Sequence, residues 1–125
     1  QELIDEHDID FLDLSLWDVF KHPHDEAYED KTLLAHFMEL DFKDVKVTVA
    51  GKITSGSDVH SVLDAGVDFV TIGRSAILHH DFPKLVITEP SFSPAELPVS
   101  VAHLKNEGLS DTFVEYMKSW EGFVE

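Results

Sequence analysis

The chain has no cysteine, one arginine and no long apolar run. Without cysteine, neither disulfides nor thiolate chemistry enter its function, and the composition fits a reducing compartment; a cytoplasmic location is the expectation. No apolar stretch approaches the roughly 20 residues that span a bilayer, and no signal-peptide pattern is visible. Positive charge is scarce: nine Lys and Arg stand against twenty-five Asp and Glu, for a net charge of −16. Nucleic acids and anionic membrane surfaces are bound by clustered Lys and Arg, so neither is an expected partner. An acidic, solvated surface favours solubility. Against it, the single arginine, Arg74, stands out as a place for an anion.

What is present is a stretch of two similar units. Residues 47–75 read V-T-V-A-G-K-I-T-S-G-S-D-V-H-S-V-L-D-A-G-V-D-F-V-T-I-G-R-S. The pattern is strand, glycine turn, helix, strand, glycine turn and then arginine. Val45 to Ala50 is a continuous β-branched run, as in strands covered on both faces, and Gly51 ends it. Thr54, Ser55 and Ser57 offer helix caps, and Val59, Val62 and Leu63 share one side of a helix over 57–65. Gly66 suits the position just past that helix. Val67 to Ile72 forms the next buried strand, Gly73 turns the chain, and Arg74 to Leu78 opens a short helix. The spacing fits a parallel β-α-β crossover.

Before this region, Leu3 and Ile4 close the last turn of a helix, and residues 9–15, I-D-F-L-D-L-S, read as a strand. Residues 18–32 form a polar loop marked by Pro23. Leu33, Leu34, Phe37 and Met38 suit one face of a short helix over 32–40. After it, Pro90, Pro94 and Pro98, with Pro83 just upstream, indicate an extended segment over 87–99. Val101 to Leu104 suggests a helical turn, and Phe113, Val114, Met117 and Trp120 recur at helical spacing over 112–120. The expected organisation is a barrel-like segment over 1–86 and a proline-marked extension with a terminal helix over 87–125.

Gly51 and Gly73 carry the chemical argument. A phosphate is held by backbone N–H groups converging on one concave spot, and a Cβ at such a turn would hold the anion away. The helix following Gly73 directs its free N–H groups at the same place, and Arg74 adds a planar, permanently charged donor fork. Either glycine alone is also what a plain strand-end turn needs; the pair with its arginine is the signal. Lys52 is a second candidate cation, equally able to point into solvent. Ser15, Trp17 and Asp18 sit at the carboxyl end of the first strand, where Ser15 can donate to a ligand and Trp17 can pack over one. Eight histidines are present. His22 and His24 near Asp18 and Asp25 match no established metal spacing, no serine–histidine–carboxylate triad is identifiable, and no metal site is expected.

Two ordered motifs, V-A-G-K-I-T-S-G-S-D and G-V-D-F-V-T-I-G-R-S-A-I-L-H-H-D, resemble the C-terminal part of the old yellow enzyme family, the FMN-dependent NADH:flavin oxidoreductases. The segment D-F-L-D-L-S resembles that family's sixth strand, and L-S-D-T-F-V-E-Y-M-K-S-W-E-G-F-V resembles its C-terminal end in one bacterial branch. Lys52 replaces a usual second glycine, and Phe82-Pro83 after Asp81 alters a D-P element. The resemblance covers nearly the whole chain. It implies an α/β fold: strands six to eight of a (β/α)8 barrel with a C-terminal helical extension. At 125 residues the chain is about half of such a barrel, which takes roughly 250 residues. Because Gln1 opens directly into a polar helix end, the expectation is a chain cut inside a βα unit.

The resemblance further implies that Gly51, Gly73 and Arg74, with Ile53 beside them and Lys52 in the same turn, line the phosphate side of FMN. It places the family's catalytic and substrate-binding residues on earlier strands, so no residue of this chain is assigned a catalytic role. The implied activity of the whole enzyme is hydride transfer from NADH or NADPH to flavin and on to a small-molecule acceptor such as an activated alkene. The implied partner is a missing N-terminal barrel half or a second copy of the chain, and the 125 residues alone are expected to be inactive. Two other readings stay open: part of a phosphate-binding barrel enzyme without flavin, and a non-catalytic, self-associating acidic α/β module.

Overall fold

A computed structural model describes residues 1–125. The chain is α/β, with a small parallel sheet and several helices. It groups into two compact units, one of residues 1–53 and 57–73, the other of residues 54–56 and 74–125. The chain passes between them at 53/54, 56/57 and 73/74. No helix is long and apolar enough to cross a membrane.

The first unit is built on three strands, β1 (Phe11–Ser15), β2 (Lys46–Ala50) and β3 (Phe69–Thr71), in the order β1-β2-β3 and parallel throughout. Each falls inside its expected range: β1 and β2 start later but end at the expected residues, and β3 is shorter at both ends. Helix α1 (Glu2–Glu6) precedes β1, and α2 (Leu33–Phe37) lies between β1 and β2. Thr32 caps α2, its hydroxyl accepting from Ala35 N–H at 3.2 Å, which supplies one otherwise unpaired donor of the first turn. Helix α3 (Gly56–Asp64) lies between β2 and β3.

The register separates the sheet's faces. Leu12, Leu14, Val47, Val49 and Val70 share one face, with Leu14, Val47 and Val49 buried. Phe11, Asp13, Ser15, Thr48, Phe69 and Thr71 share the other, where all but Thr48 are exposed. On that face the Thr48 and Thr71 hydroxyls hydrogen-bond at 3.0 Å, and the Phe11 and Phe69 rings meet edge to face. Both rings remain open to solvent, at 55% and 44% exposure. Strands β1 and β3 each have a neighbour on one side only. On α3, Val59 and Val62 are buried as expected, whereas Leu63, on the same side but in the last turn before Asp64, is 37% exposed.

Asp68 fastens the start of β2 to β3. Its carboxylate accepts from Val47 N–H at 2.9 Å and from Lys46 Nζ at 2.8 Å. The Lys46 ammonium, followed by the Val47 N–H, holds the Asp68 carboxyl below its ordinary value of 3.8. A carboxyl depressed by folding stabilises the folded state above the unfolded value and loses that contribution as pH falls through the folded value. An Asp68→Asn chain is therefore expected to be less stable than the wild type at neutral pH. The difference should shrink as the pH drops below 3.8. Urea midpoints measured from neutral to acid pH check this; a difference that does not change with pH contradicts it.

The second unit is helical: α4 (Arg74–Leu78), α5 (Phe82–Thr88), α6 (Val101–Asn106) and α7 (Asp111–Lys118). Its core joins Leu78, Val99, Leu104, Val114, Met117 and Phe123. Ser100 and Ser110 cap α6 and α7, each hydroxyl accepting a backbone N–H at 3.2 Å. Helix α5 forms over Phe82–Thr88, where the sequence pattern predicts no helix. Pro83 sits in its first turn, where a missing N–H costs nothing and the fixed φ suits a helix; Phe82 and Val86, four apart, are buried on one side. The prolines at 90, 94 and 98 do lie in irregular backbone.

Candidate functional site

The carboxyl edge of the sheet collects the residues singled out in the first unit. The register pairs Ser15 with Ala50 and Ala50 with Thr71. The chain therefore leaves three adjacent strands at neighbouring points, toward Trp17 and Asp18, toward Gly51 and Lys52, and toward Gly73. Leu16 N–H donates to Ala50 O at 2.9 Å and Val19 N–H to Gly51 O at 3.1 Å, so the turn after β1 is tied to the turn after β2.

Backbone strain concentrates here. Trp17 has φ 54° and Lys52 φ 50°, both left-handed, and Asp18 N–H donates back to Leu16 O across Trp17. Only one other non-glycine residue, Lys43 before β2, has positive φ. Such conformations cost on the order of 1–3 kcal/mol each for residues with side chains and persist where the surroundings over-determine them. The Trp17 side chain is held outward, 79% exposed.

Lys52 is not a free cation. Its Nζ lies 3.1 Å from Asp18 Oδ2, and this hydrogen bond, with Phe20 N–H at 3.1 Å, holds the Asp18 carboxyl below its usual range. The pair is partly exposed, so its contribution to stability is small; its geometric effect is to bridge the turns after β1 and β2. Ile53 is buried, 4% exposed, and its side chain belongs to the core of the first unit.

The two glycines do different work. Gly51 has φ +145°, and a Cβ there would meet Trp17 C at 2.8 Å and Asp18 N at 2.9 Å. Its missing side chain admits the neighbouring turn rather than leaving room for a ligand. At Gly73 a Cβ would meet nothing within 4 Å. The fold does not need glycine there for space, and the backbone is open to close approach.

In the second unit Arg74 is exposed, with its guanidinium carbon 5.5 Å from the centroid of the Trp120 ring. A guanidinium over an indole face is held by cation–π attraction. Ser75 is buried and donates to Thr54 O at 2.9 Å. The stacking of Arg74 on Trp120 joins positions far apart in sequence, and no spacing rule announces it. Of the histidines near Pro23, His22 meets Glu29 O at 2.8 Å and His24 meets Lys21 Nζ at 2.7 Å; both rings serve the loop. No protein-family model, no curated protein and no solved structure matches the chain.

Proposed function

We propose that the chain provides the phosphate side of the flavin site in an FMN-dependent NAD(P)H oxidoreductase with a (β/α)8 barrel. The observation that carries this reading is the edge just described: neighbouring parallel strands ending at Gly51 and Gly73, strained turns at Trp17 and Lys52, and open space at Gly73. Parallel α/β sheets bind ligands outside their carboxyl strand ends. A phosphate fits backbone N–H donors at Gly73. Trp17, exposed at the same edge, offers a flat apolar surface for a ring. Arg74 is assigned to the phosphate by its place directly after Gly73 and by its donor fork.

Bound FMN would supply the hydride chemistry. The residues of this chain bind and orient; Lys52 and Asp18 are paired with each other, and the catalytic groups come from elsewhere. The partner in this proposal is a polypeptide carrying the earlier barrel strands, or a second copy. Its support is the pair of one-sided edge strands and the exposed Phe11–Phe69 face.

The test compares FMN with riboflavin, which lacks the phosphate. Arg74→Ala removes a charge-assisted hydrogen bond of about 1.5–3 kcal/mol, equivalent to roughly ten- to over a hundredfold weaker FMN binding. Riboflavin should bind both proteins alike, and Arg74→Lys should recover part of the loss because a point charge lacks the fork. Titrations by flavin fluorescence are made on the chain alone and with a polypeptide supplying the upstream strands. An equal loss for both ligands places Arg74 on the ring or on folding, through Trp120, and defeats the assignment.

A further inference from the structure

We propose that His79, His103 and Glu107 of the second unit form a binding site for a divalent transition-metal ion of the zinc class. One ligand atom from each of the three side chains lies within 4.8 Å of the others, and all three residues are partly buried. His79 follows the last residue of α4. His103 lies on α6, and Glu107 at its end follows four residues on, so both project from one helix face. Two imidazoles and a carboxylate are a ligand set that zinc accepts with one coordination position left open.

Two of the three ligands are held by hydrogen bonds that leave a lone pair for an ion. His103 Nε2 donates to Leu78 O at 2.8 Å. A carbonyl can only accept, so Nε2 carries the proton and Nδ1 presents a lone pair. This is the arrangement in which metal-bound imidazoles are held by their second nitrogen. Glu107 Oε2 accepts from His80 N–H at 2.9 Å and meets His80 Nδ1 at 2.8 Å, which fixes the carboxylate plane and leaves Oε1 to turn toward an ion. The neighbouring group of His80, Asp81 and Glu107 also falls within 4.8 Å, but His80 spends its Nδ1 on Glu107, so its part is to position that ligand.

His79 is the ligand that must change. Without an ion, its Nε2 accepts from Ala95 N–H at 2.9 Å, which puts the ring proton on Nδ1. If Nε2 binds the ion, its lone pair is no longer available to Ala95. If Nδ1 binds it, the proton moves to Nε2, which becomes a donor and repels the amide. Either route ends the Ala95–His79 hydrogen bond. With bonds of about 2.0–2.1 Å, tetrahedral ligand atoms stand about 3.4 Å apart, so the three groups close in slightly as the ion enters. Ion binding therefore releases the Ala95 amide in the segment between α5 and α6.

The experiment titrates the 125-residue chain with Co²⁺ and then Zn²⁺, following visible absorption, calorimetry and the Ala95 amide by NMR. The expected result is one ion per chain, Co²⁺ displaced by Zn²⁺, and an Ala95 amide that shifts and exchanges faster on loading. Glu107→Gln and His103→Ala should each weaken binding tenfold or more, with circular dichroism reporting the fold. His22→Ala with His24→Ala should leave it unchanged. Should His103→Ala unfold through loss of the Leu78 bond, Glu107→Gln and the Ala95 signal decide. No uptake at micromolar metal, uptake unaffected by Glu107→Gln, or uptake that leaves Ala95 unmoved overturns the site.

Discussion

Replacing Gly51 by alanine is expected to destabilise the chain by about 2–6 kcal/mol, the sum of a strained backbone and a forced contact. The φ of +145° lies where side-chain-bearing residues are rarely found. The added Cβ would stand 2.8 Å from Trp17 C, 2.9 Å from Asp18 N and 3.0 Å from Trp17 N. All three are backbone atoms, so no flexible side-chain end can swing away. Relief requires moving the turn after β1, which is tied down by Leu16 N–H to Ala50 O and Val19 N–H to Gly51 O. Gly73→Ala is the matched comparison. Its Cβ meets nothing within 4 Å, so its urea midpoint should stay near that of the wild type, while the proposed FMN binding weakens as the methyl group holds the phosphate off. A Gly51→Ala protein with an unchanged midpoint would show that the two turns do not depend on each other as the geometry requires.

In the second unit, Leu104→Ala should cost about 2–5 kcal/mol, the range for large-to-small changes at fully buried leucines. Leu104 is 0% exposed and packs in the cluster with Leu78, Val99, Val114, Met117 and Phe123. Truncation leaves a cavity against Met117, itself fully buried. Leu104→Met keeps the volume and should lose less than about 1.5 kcal/mol. Trp120 packs against this cluster, so in a Trp17→Phe background its fluorescence reports the second unit's unfolding in urea. If the alanine variant unfolds at the wild-type midpoint, Leu104 is not the keystone of this core. Because the chain groups into two units, each variant is followed by a probe in its own unit as well as by circular dichroism, since a single transition need not describe both.

The elements that were legible in the sequence are those whose signal is local. Val47, Thr48 and Val49 are buried in a continuous β-branched run, and Val59 and Val62 mark α3 by helical spacing. Gly66, with φ +107°, ends the helix region where a left-handed residue is needed. Helix α5 is not legible from the proline pattern, because Pro83 reads with the prolines of the extended segment while the same residue is favourable in a first turn. The spacing puts Leu63 on the buried side of α3, yet it is 37% exposed, because helical spacing restricts a residue to a sector, not to a contact. The identity of the edge as a cluster of strand ends was visible from Gly51 and Gly73; the pairing that decides what Lys52 can do was not, because Asp18 lies thirty-four positions away.

By itself the sequence determined the α/β alternation, the three strands, the acidic surface and the absence of thiol chemistry, since these follow from residue type and short-range periodicity. Only the tertiary structure decided that Gly51 makes room for the Trp17 turn, that Ile53 is core, that Arg74 lies on Trp120, and that His79, His103 and Glu107 converge. The physical reason is common to all four. Each depends on distances between atoms brought together by folding across many residues. Hydrogen bonds and steric contacts act over a few ångströms of space, whatever the separation along the chain.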